Sequence, residues 1–183
     1  MSTEALNTLF TDITQYNDRK VKKLLVVEDN ELDSSQMAKI LENGELVNIE
    51  ITDSGLKALD LIKENKYDGI IVDFMLPDID GLKFVTEISA IKKMQMTPVI
   101  IYSAKDFAPR ERMKLKQYAN RILLKDVNSL DLLLEETVML LHLNHKKLLP
   151  EKRKLIENLR SKKDVLSSKT ILVVDDDVRN LLR

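Results

Sequence analysis

Five short apolar runs are spaced along the chain, and segments with helical periodicity separate them. Runs without polar residues are typical of strands buried on both faces of a parallel sheet, whereas the second run alternates apolar and polar residues. The runs are LLVVE at 24–28, LVNIEIT at 46–52, GIIVD at 69–73, PVIIYS at 98–103 and RILLK at 121–125. This alternation predicts an α/β fold in which helices cover both faces of a five-stranded parallel sheet.

The intervening segments carry helix start and stop signals as well as apolar positions at helical spacing. Ser54 suits the cap of the second helix, Gly44 the end of the first, and Asn128 with Asp131 resembles a capping box before the last. The predicted helices include 31–43, 109–118 and 129–144. The inward face of helix 31–43 should carry Leu32, Met37, Ile40 and Leu41. The inward face of the helix that Ser54 caps should carry Leu56, Leu59 and Ile62.

Composition divides the chain into four segments. Residues 1–20 predict a helical extension, and residues 21–145 hold the five strand–helix units. Residues 146–168 are strongly basic and predict a helical linker, which we expect to be a solvated connector. Residues 169–183 begin another apolar run, TILVVDDD, typical of the first strand of a further domain.

The totals exclude several classes of function. The chain has no cysteine, which excludes disulfides and thiol chemistry and fits a reducing cytoplasm. Its 29 basic and 30 acidic residues nearly cancel, so the whole chain is no polyanion binder. No apolar run approaches the roughly 18 residues of a membrane span, and the start lacks a signal-peptide pattern. We expect a cytoplasmic protein without nucleic-acid or membrane contacts.

Chemically active residue types stand at the carboxyl ends of the predicted strands, where open α/β sheets bind ligands. They are Glu28, Asp29, Asp73, Ser103 and Lys125. An acid there can simply cap the next helix, as Asp29 or Asn30 would, but that does not explain the whole set. Crowded carboxylates need a cation, and oxygen ligands without His or Cys favour Mg²⁺. One carboxylate could then attack phosphorus, with a lysine and a hydroxyl stabilising the transferred group.

Four stretches together resemble the response regulator receiver domain of two-component signalling. LLVVEDN resembles its acidic-pair strand, IIVDFMLPDIDG its phosphoacceptor strand and loop, PVIIYSA its Ser/Thr strand and ILLK its lysine strand. The resemblance covers about 21–144 and implies a flavodoxin-like (βα)5 three-layer sandwich. It implies that Asp73 accepts a phosphoryl group from a phosphohistidine of a histidine kinase or histidine phosphotransfer domain.

The resemblance also implies a role for each site residue. The implied Mg²⁺ ligands are Glu28, Asp29, Asp73 and the backbone carbonyl of Met75. The implied phosphoryl-binding groups are Ser103, Lys125 and the backbone amide of Ala104.

The run ILVVDDD at 171–177 resembles the first strand of a second receiver, with Asp175 and Asp176 as its acidic pair. A receiver, a basic connector and a second receiver resemble the tail of a hybrid histidine kinase, cut just inside the next domain; this segment itself should not be an enzyme. The last receiver helix has more apolar residues than one face needs, which predicts a contact with the linker or another chain. With the unpaired strand 170–175, this predicts a homodimer.

Three positions depart from the family pattern. Asp126 follows Lys125 where the family usually has proline, so we expect a trans bond there and a reshaped loop. Ile122 stands where the family carries its switch aromatic, and Glu28 replaces the commoner aspartate.

These departures keep two alternatives open. A pseudo-receiver would dock or space kinase domains without being phosphorylated. A haloacid-dehalogenase-like phosphatase would need an acid catalyst two residues after its nucleophile, and that position is Met75. His142 and His145 are spaced for shared metal ligation but are expected to be surface residues.

Overall fold

The computed structural model describes residues 21–127 and 129–167, with side chains described up to Ser161 in the last helix. Several predicted features lie outside this part of the chain: the helix in 1–20, the capping residue Asn128, and the strand 170–175 with Asp175 and Asp176.

Five parallel strands and six α-helices alternate along the described chain. The strands are β1 (Lys22–Val27), β2 (Val47–Thr52), β3 (Gly69–Val72), β4 (Val99–Ser103) and β5 (Arg121–Leu124). The helices are α1 (Glu31–Leu41), α2 (Gly55–Glu64), α3 (Gly81–Ala90), α4 (Pro109–Leu115), α5 (Ser129–Leu140) and α6 (Pro150–Ser167). The strand order β2-β1-β3-β4-β5 is the flavodoxin-like order of the expected class.

The sheet is buried between two helical layers, as its apolar strands predict. Leu25 and Val27 of β1 face the layer formed by α2, α3 and α4. Leu24 and Val26 face the layer formed by α1 and α5. All four side chains are at most 2% exposed, which explains why β1 tolerates no polar residue in this run.

Two predicted core positions are wrong. Leu32 is 67% exposed and Leu56 is 53% exposed. Each is the second residue of its helix and so lies beyond the carboxyl end of the sheet, where no layer covers it. The burial of Met37 and Ile62, one to two turns further along, agrees with the prediction.

Helix boundaries follow the capping signals at some ends and not at others. Asn30 caps α1, accepting hydrogen bonds from the amides of Leu32 and Asp33, and Ser54 caps α2. The predicted helix 129–144 is shorter in the structure because α5 ends at Leu140 and His142 adopts a positive φ of 51°. Gly44 has a φ of 56° just after α1, in the left-handed region that glycine tolerates best.

The basic linker is helical, but it is not a free connector over its described length. Ile156 of α6 is fully buried and Leu148 before it is 3% exposed, both packed against α5. Lys152 is buried too; burial lowers the pKa of its ammonium, which donates to the carbonyl of Lys39 in α1 at 3.0 Å. The contact with α5 accounts for surplus apolar residues of that helix. None of the helices in the described part of the chain is long and apolar enough to cross a membrane.

The loop after β3 is tied to the start of α2 by Asp78. Its carboxylate accepts hydrogen bonds from the Ser54 hydroxyl at 2.6 Å and from the amides of Gly55 and Leu56 at 3.0 Å each. Burial alone would raise the pKa of Asp78, but these donors outweigh it and lower the pKa below its ordinary value. The aspartate therefore neutralises the amino end of α2 from a distant part of the sequence.

We predict that Asp78→Asn lowers the free energy of unfolding by about 1 kcal/mol at neutral pH, because one charged acceptor is lost. A lowered carboxyl pKa stabilises the fold above the unfolded-state value and loses that contribution as pH falls through the folded-state value. The difference between variant and wild type should therefore shrink below about pH 4. Urea titrations at several pH values measure it. Asp60→Asn, on the exposed face of α2, is the control; an equal loss there would contradict the capping role.

We predict that Ile156→Asp releases α6 from α5, because it places a charge among buried apolar side chains at a cost of about 2–5 kcal/mol. Amide hydrogen exchange should accelerate in α6 while β1 stays protected. Asn158→Asp adds the same charge at an exposed position of the same helix and should leave exchange unchanged. Equal protection of α6 in both variants would show that the contact contributes little.

Candidate functional site

Asp73 lies directly after β3, at the centre of the carboxyl edge of the sheet. Its amide donates to the carbonyl of Val27 at 2.9 Å, so the β1–β3 ladder continues through it. Its Oδ1 accepts hydrogen bonds from the Ser103 hydroxyl and the Met75 amide, both at 2.9 Å. The Asp73 residue is 7% exposed, and the hydroxyl predicted to assist it is in direct contact.

Lys125 joins this site from the other side. Its amide donates to the carbonyl of Ser103 at 2.9 Å, which extends the β4–β5 ladder to the edge of the sheet. Its ammonium lies 2.8 Å from Asp73 Oδ2 and 2.7 Å from Glu28 Oε2. Burial tends to lower the pKa of Lys125, but its carboxylate partners outweigh burial and raise it, so the lysine is charged.

Asp33 is a third partner of Lys125 that the sequence analysis did not identify. Its Oδ2 accepts from the Lys125 ammonium at 2.8 Å. Asp33 stands in the first turn of α1, and its amide is fixed by the Asn30 cap at 3.1 Å. The helix after Glu28 and Asp29 begins at the carboxyl edge of the sheet, so an acid in its first turn lies near the site. That position of Asp33 is the signal in the sequence that could have identified it.

The three acids assigned to metal binding are brought together. Glu28, Asp29 and Asp73 each offer a carboxylate oxygen, and these oxygens lie within 4.8 Å of one another. Glu28 is 2% exposed, and burial raises the pKa of its carboxyl even though Lys125 opposes the shift. Asp29 is exposed, so water can reach the cluster from that side.

A lysine in the place of the cation would argue against a metal site here. Lys125 contacts two of the three candidate ligands, Glu28 and Asp73. It bonds one oxygen of each; the second oxygen of Asp73 accepts from Ser103 and Met75, and that of Glu28 accepts from the Asn30 amide at 3.3 Å. Asp29 is not among the ion-pair partners of Lys125. A set of carboxylate oxygens open to water on one side fits Mg²⁺, which keeps several water ligands.

The remaining residues of the motif after Asp73 shape the loop. Asp80 caps α3 by accepting from the Lys83 amide at 2.9 Å. A Cβ on Gly81 would come within 2.4 Å of the Phe74 carbonyl oxygen, so only glycine permits this close approach. Met75 is 59% exposed, with its amide bonded to Asp73. Ala104 is exposed beside Ser103 at the same edge of the sheet.

The departures at the end of β5 have local structural substitutes. No cis peptide bond occurs in the described residues, so the bond before Asp126 is trans, as expected. The amide of Asp126 donates to the Ser129 hydroxyl at 3.0 Å, and that hydroxyl is also hydrogen-bonded to the Tyr102 hydroxyl at 2.7 Å. Ile122 packs half-buried against the core on the α2–α4 side. The loop is thus held by side-chain hydrogen bonds.

An aromatic pair lies near the site although Ile122 is not aromatic. Phe74 and Phe107 meet edge to face with ring centres 4.8 Å apart. The Lys105 ammonium lies 5.3 and 5.4 Å from the two ring centres and 3.1 Å from Glu111. These contacts connect the residue after Asp73 to the loop after β4 and to α4.

Comparison with known proteins gives a consistent result. Residues 24–136 match the family model of the response regulator receiver domain. The polar-differentiation response regulator DivK of Brucella ovis is 35% identical over 83 residues, which are 45% of this chain and 67% of that protein. Hybrid signal transduction histidine kinase B of Dictyostelium discoideum is 29% identical over 77 residues, which are 42% of this chain and 4% of that protein.

Solved structures show the same fold. The receiver domain of the Francisella response regulator 1452 is 31% identical with a TM-score of 0.58, covering 66% of this chain and 97% of that one. The receiver domain of sensor histidine kinase PA1611 from Pseudomonas aeruginosa PAO1, which has magnesium in its active site cleft, is 22% identical with a TM-score of 0.57, covering 67% of this chain and 98% of that one. At that identity the likeness shows the fold alone. The family match spans every site residue from Glu28 to Lys125, and the chain therefore belongs to the response regulator receiver domain family of two-component signalling.

Proposed function

We propose that this receiver domain accepts a phosphoryl group from a phosphohistidine onto Asp73, with Mg²⁺. A carboxylate oxygen of Asp73 attacks phosphorus, the P–N bond breaks, and the imidazole nitrogen retains the bonding electrons. The observation that carries the proposal is the contact of Asp73 with both the Ser103 hydroxyl and the Lys125 ammonium. These are the donor and the cation that phosphoryl transfer requires.

Each neighbouring group has a distinct task in this proposal. Lys125 stabilises charge that develops on the phosphoryl oxygens, and the Ser103 hydroxyl turns from Asp73 to donate to one of them. The backbone amide of Ala104 adds a second donor. The Met75 amide keeps the Asp73 carboxylate oriented.

We propose Glu28, Asp29, Asp73 and the Met75 backbone carbonyl as the ligands of Mg²⁺. When bound, the ion neutralises charge on the transferred group and on the crowded carboxylates. The 4.8 Å limit on the ligand oxygens and the exposure of Asp29 support this assignment. Aspartate and glutamate differ by one methylene, and Glu28 already lies against Lys125 in the same cluster.

Receiver domains in two-component systems interact with histidine kinases or phosphotransfer domains, and we propose one of these as the partner. The similarity to a short part of a hybrid histidine kinase supports a place in such a kinase. That residues 169–183 open a second receiver stays a prediction from their sequence. We also propose a cytoplasmic location and no enzymatic turnover by this segment. A homodimer formed through the last receiver helix, the linker and 170–175 stays a prediction, for which light scattering is the test.

A pseudo-receiver that only docks or spaces kinase domains is the second candidate. Ile122 and Asp126 favour it, because the usual aromatic switch and proline are both replaced. This candidate predicts that the wild-type domain binds neither Mg²⁺ nor beryllofluoride. Turnover of phosphomonoesters would instead revive the phosphatase alternative.

We predict that a small phosphoryl donor with Mg²⁺ labels the wild-type protein and not Asp73→Asn, because an amide is a far weaker nucleophile than a carboxylate. Intact-mass spectrometry should show one added phosphoryl group on the wild-type protein. No group should be added when the metal is chelated before the donor is supplied. Asp60→Asn removes an exposed carboxylate paired with Lys63 and should label like wild type. Equal labelling of the wild-type protein and Asp73→Asn would reject Asp73 as the acceptor.

A further inference from the structure

The ammonium of Lys125 has no donor to spare. An ammonium carries three N–H groups. These are matched by three carboxylates: Glu28 at 2.7 Å, Asp33 at 2.8 Å and Asp73 at 2.8 Å. A phosphoryl oxygen on Asp73 can therefore take over the hydrogen bond that Lys125 makes to Asp73, but it gains a second one only if Asp33 or Glu28 gives up its own.

Of the two other carboxylates, Asp33 can release Lys125 at the lower cost. Its side chain is 34% exposed, whereas those of Glu28 and Asp73 are 1% and 9% exposed. Water can replace the lysine at an exposed carboxylate, but a buried carboxylate left unpaired is strongly disfavoured. Glu28 must also stay compensated, because it is buried beside other acids.

Asp33 adds a second effect through its charge. Its Oδ2 and Asp73 Oδ2 contact the same nitrogen, so a phosphoryl group on Asp73 would carry its negative charge within a few ångströms of this carboxylate. At that distance a like charge opposes an incoming anion and favours an incoming cation. The hydrogen bond to Lys125 and the charge of Asp33 therefore both disfavour phosphoryl acceptance, and the charge favours metal binding.

We propose that Asp33 is a positioning residue that holds Lys125 away from the phosphoryl group and so restrains phosphoryl acceptance by Asp73 while it strengthens cation binding. The proposal rests on the proposed function, because it concerns the same lysine and the same acceptor. Asp33 touches neither the donor nor the acceptor and acts through Lys125.

The test compares Asp33→Asn with Glu31→Gln. Glu31 is exposed, lies in the same turn of α1 and carries the same charge, but it is not one of the three carboxylates that Lys125 contacts. Two affinities are measured by calorimetry or amide NMR: that of Mg²⁺ alone, and that of beryllofluoride with Mg²⁺ saturating for each variant. A change in melting temperature is recorded for both proteins.

Asp33→Asn should bind Mg²⁺ about three- to tenfold more weakly and beryllofluoride about three- to tenfold more tightly than wild type. Glu31→Gln should change both affinities clearly less. Asp33→Glu, which restores the charge and reaches Lys125 through one more methylene, should return both values toward wild type. A variant that is merely less well folded would weaken both affinities, so the opposite signs separate positioning from structural damage.

Other outcomes are decisive as well. Unchanged affinities in Asp33→Asn, losses of both, or equal shifts in Glu31→Gln would each overturn the proposal while leaving phosphoryl acceptance by Asp73 intact. Failure of the wild-type protein itself to bind beryllofluoride would instead overturn the proposed function. The rate of labelling by a small phosphoryl donor should rise with the beryllofluoride affinity in Asp33→Asn.

Discussion

One ammonium group compensates the carboxylates at the edge of this sheet. Lys125 contacts Glu28, Asp33 and Asp73, and two of these are almost completely buried. Buried carboxylates this close repel each other unless a cation lies between them. The positions of β1, β3 and β5 and the charge of the site are therefore linked: the strands bring the acids together, and the lysine makes that arrangement stable.

The sheet delivers these groups with little freedom because the backbone ladder continues past the strand ends. The backbone amides of Asp73 and Lys125 each donate a hydrogen bond to the neighbouring strand, which fixes the positions from which their side chains extend. Two loops are fixed as well. Asp78 bonds the loop after β3 to the start of α2, and Ser129 bonds the loop after β5 to the start of α5. Lys105 and the rings of Phe74 and Phe107 connect the site to α4 through Glu111.

Helix α6 extends the receiver core rather than leaving it. The burial of Ile156 and Lys152 attaches its first turns to α5 and α1. Through Lys152 this helix contacts the same α1 that carries Asp33 in its first turn. The basic composition of this segment is compatible with docking because, of its described side chains, Lys154 and Arg160 are exposed while Lys152 is buried.

The sequence determined the strands, the alternation of layers and the residues that meet at the carboxyl edge, because apolar runs indicate burial on both faces and strand ends in such a sheet converge. It did not determine that Leu32 and Leu56 are exposed, since helical periodicity does not show where the covering layer ends. It also missed Asp33, whose part depends on the direction of one lysine side chain between strands and a helix far apart in sequence. Tertiary structure decided these points, together with the docking of α6, because each depends on contacts between distant segments.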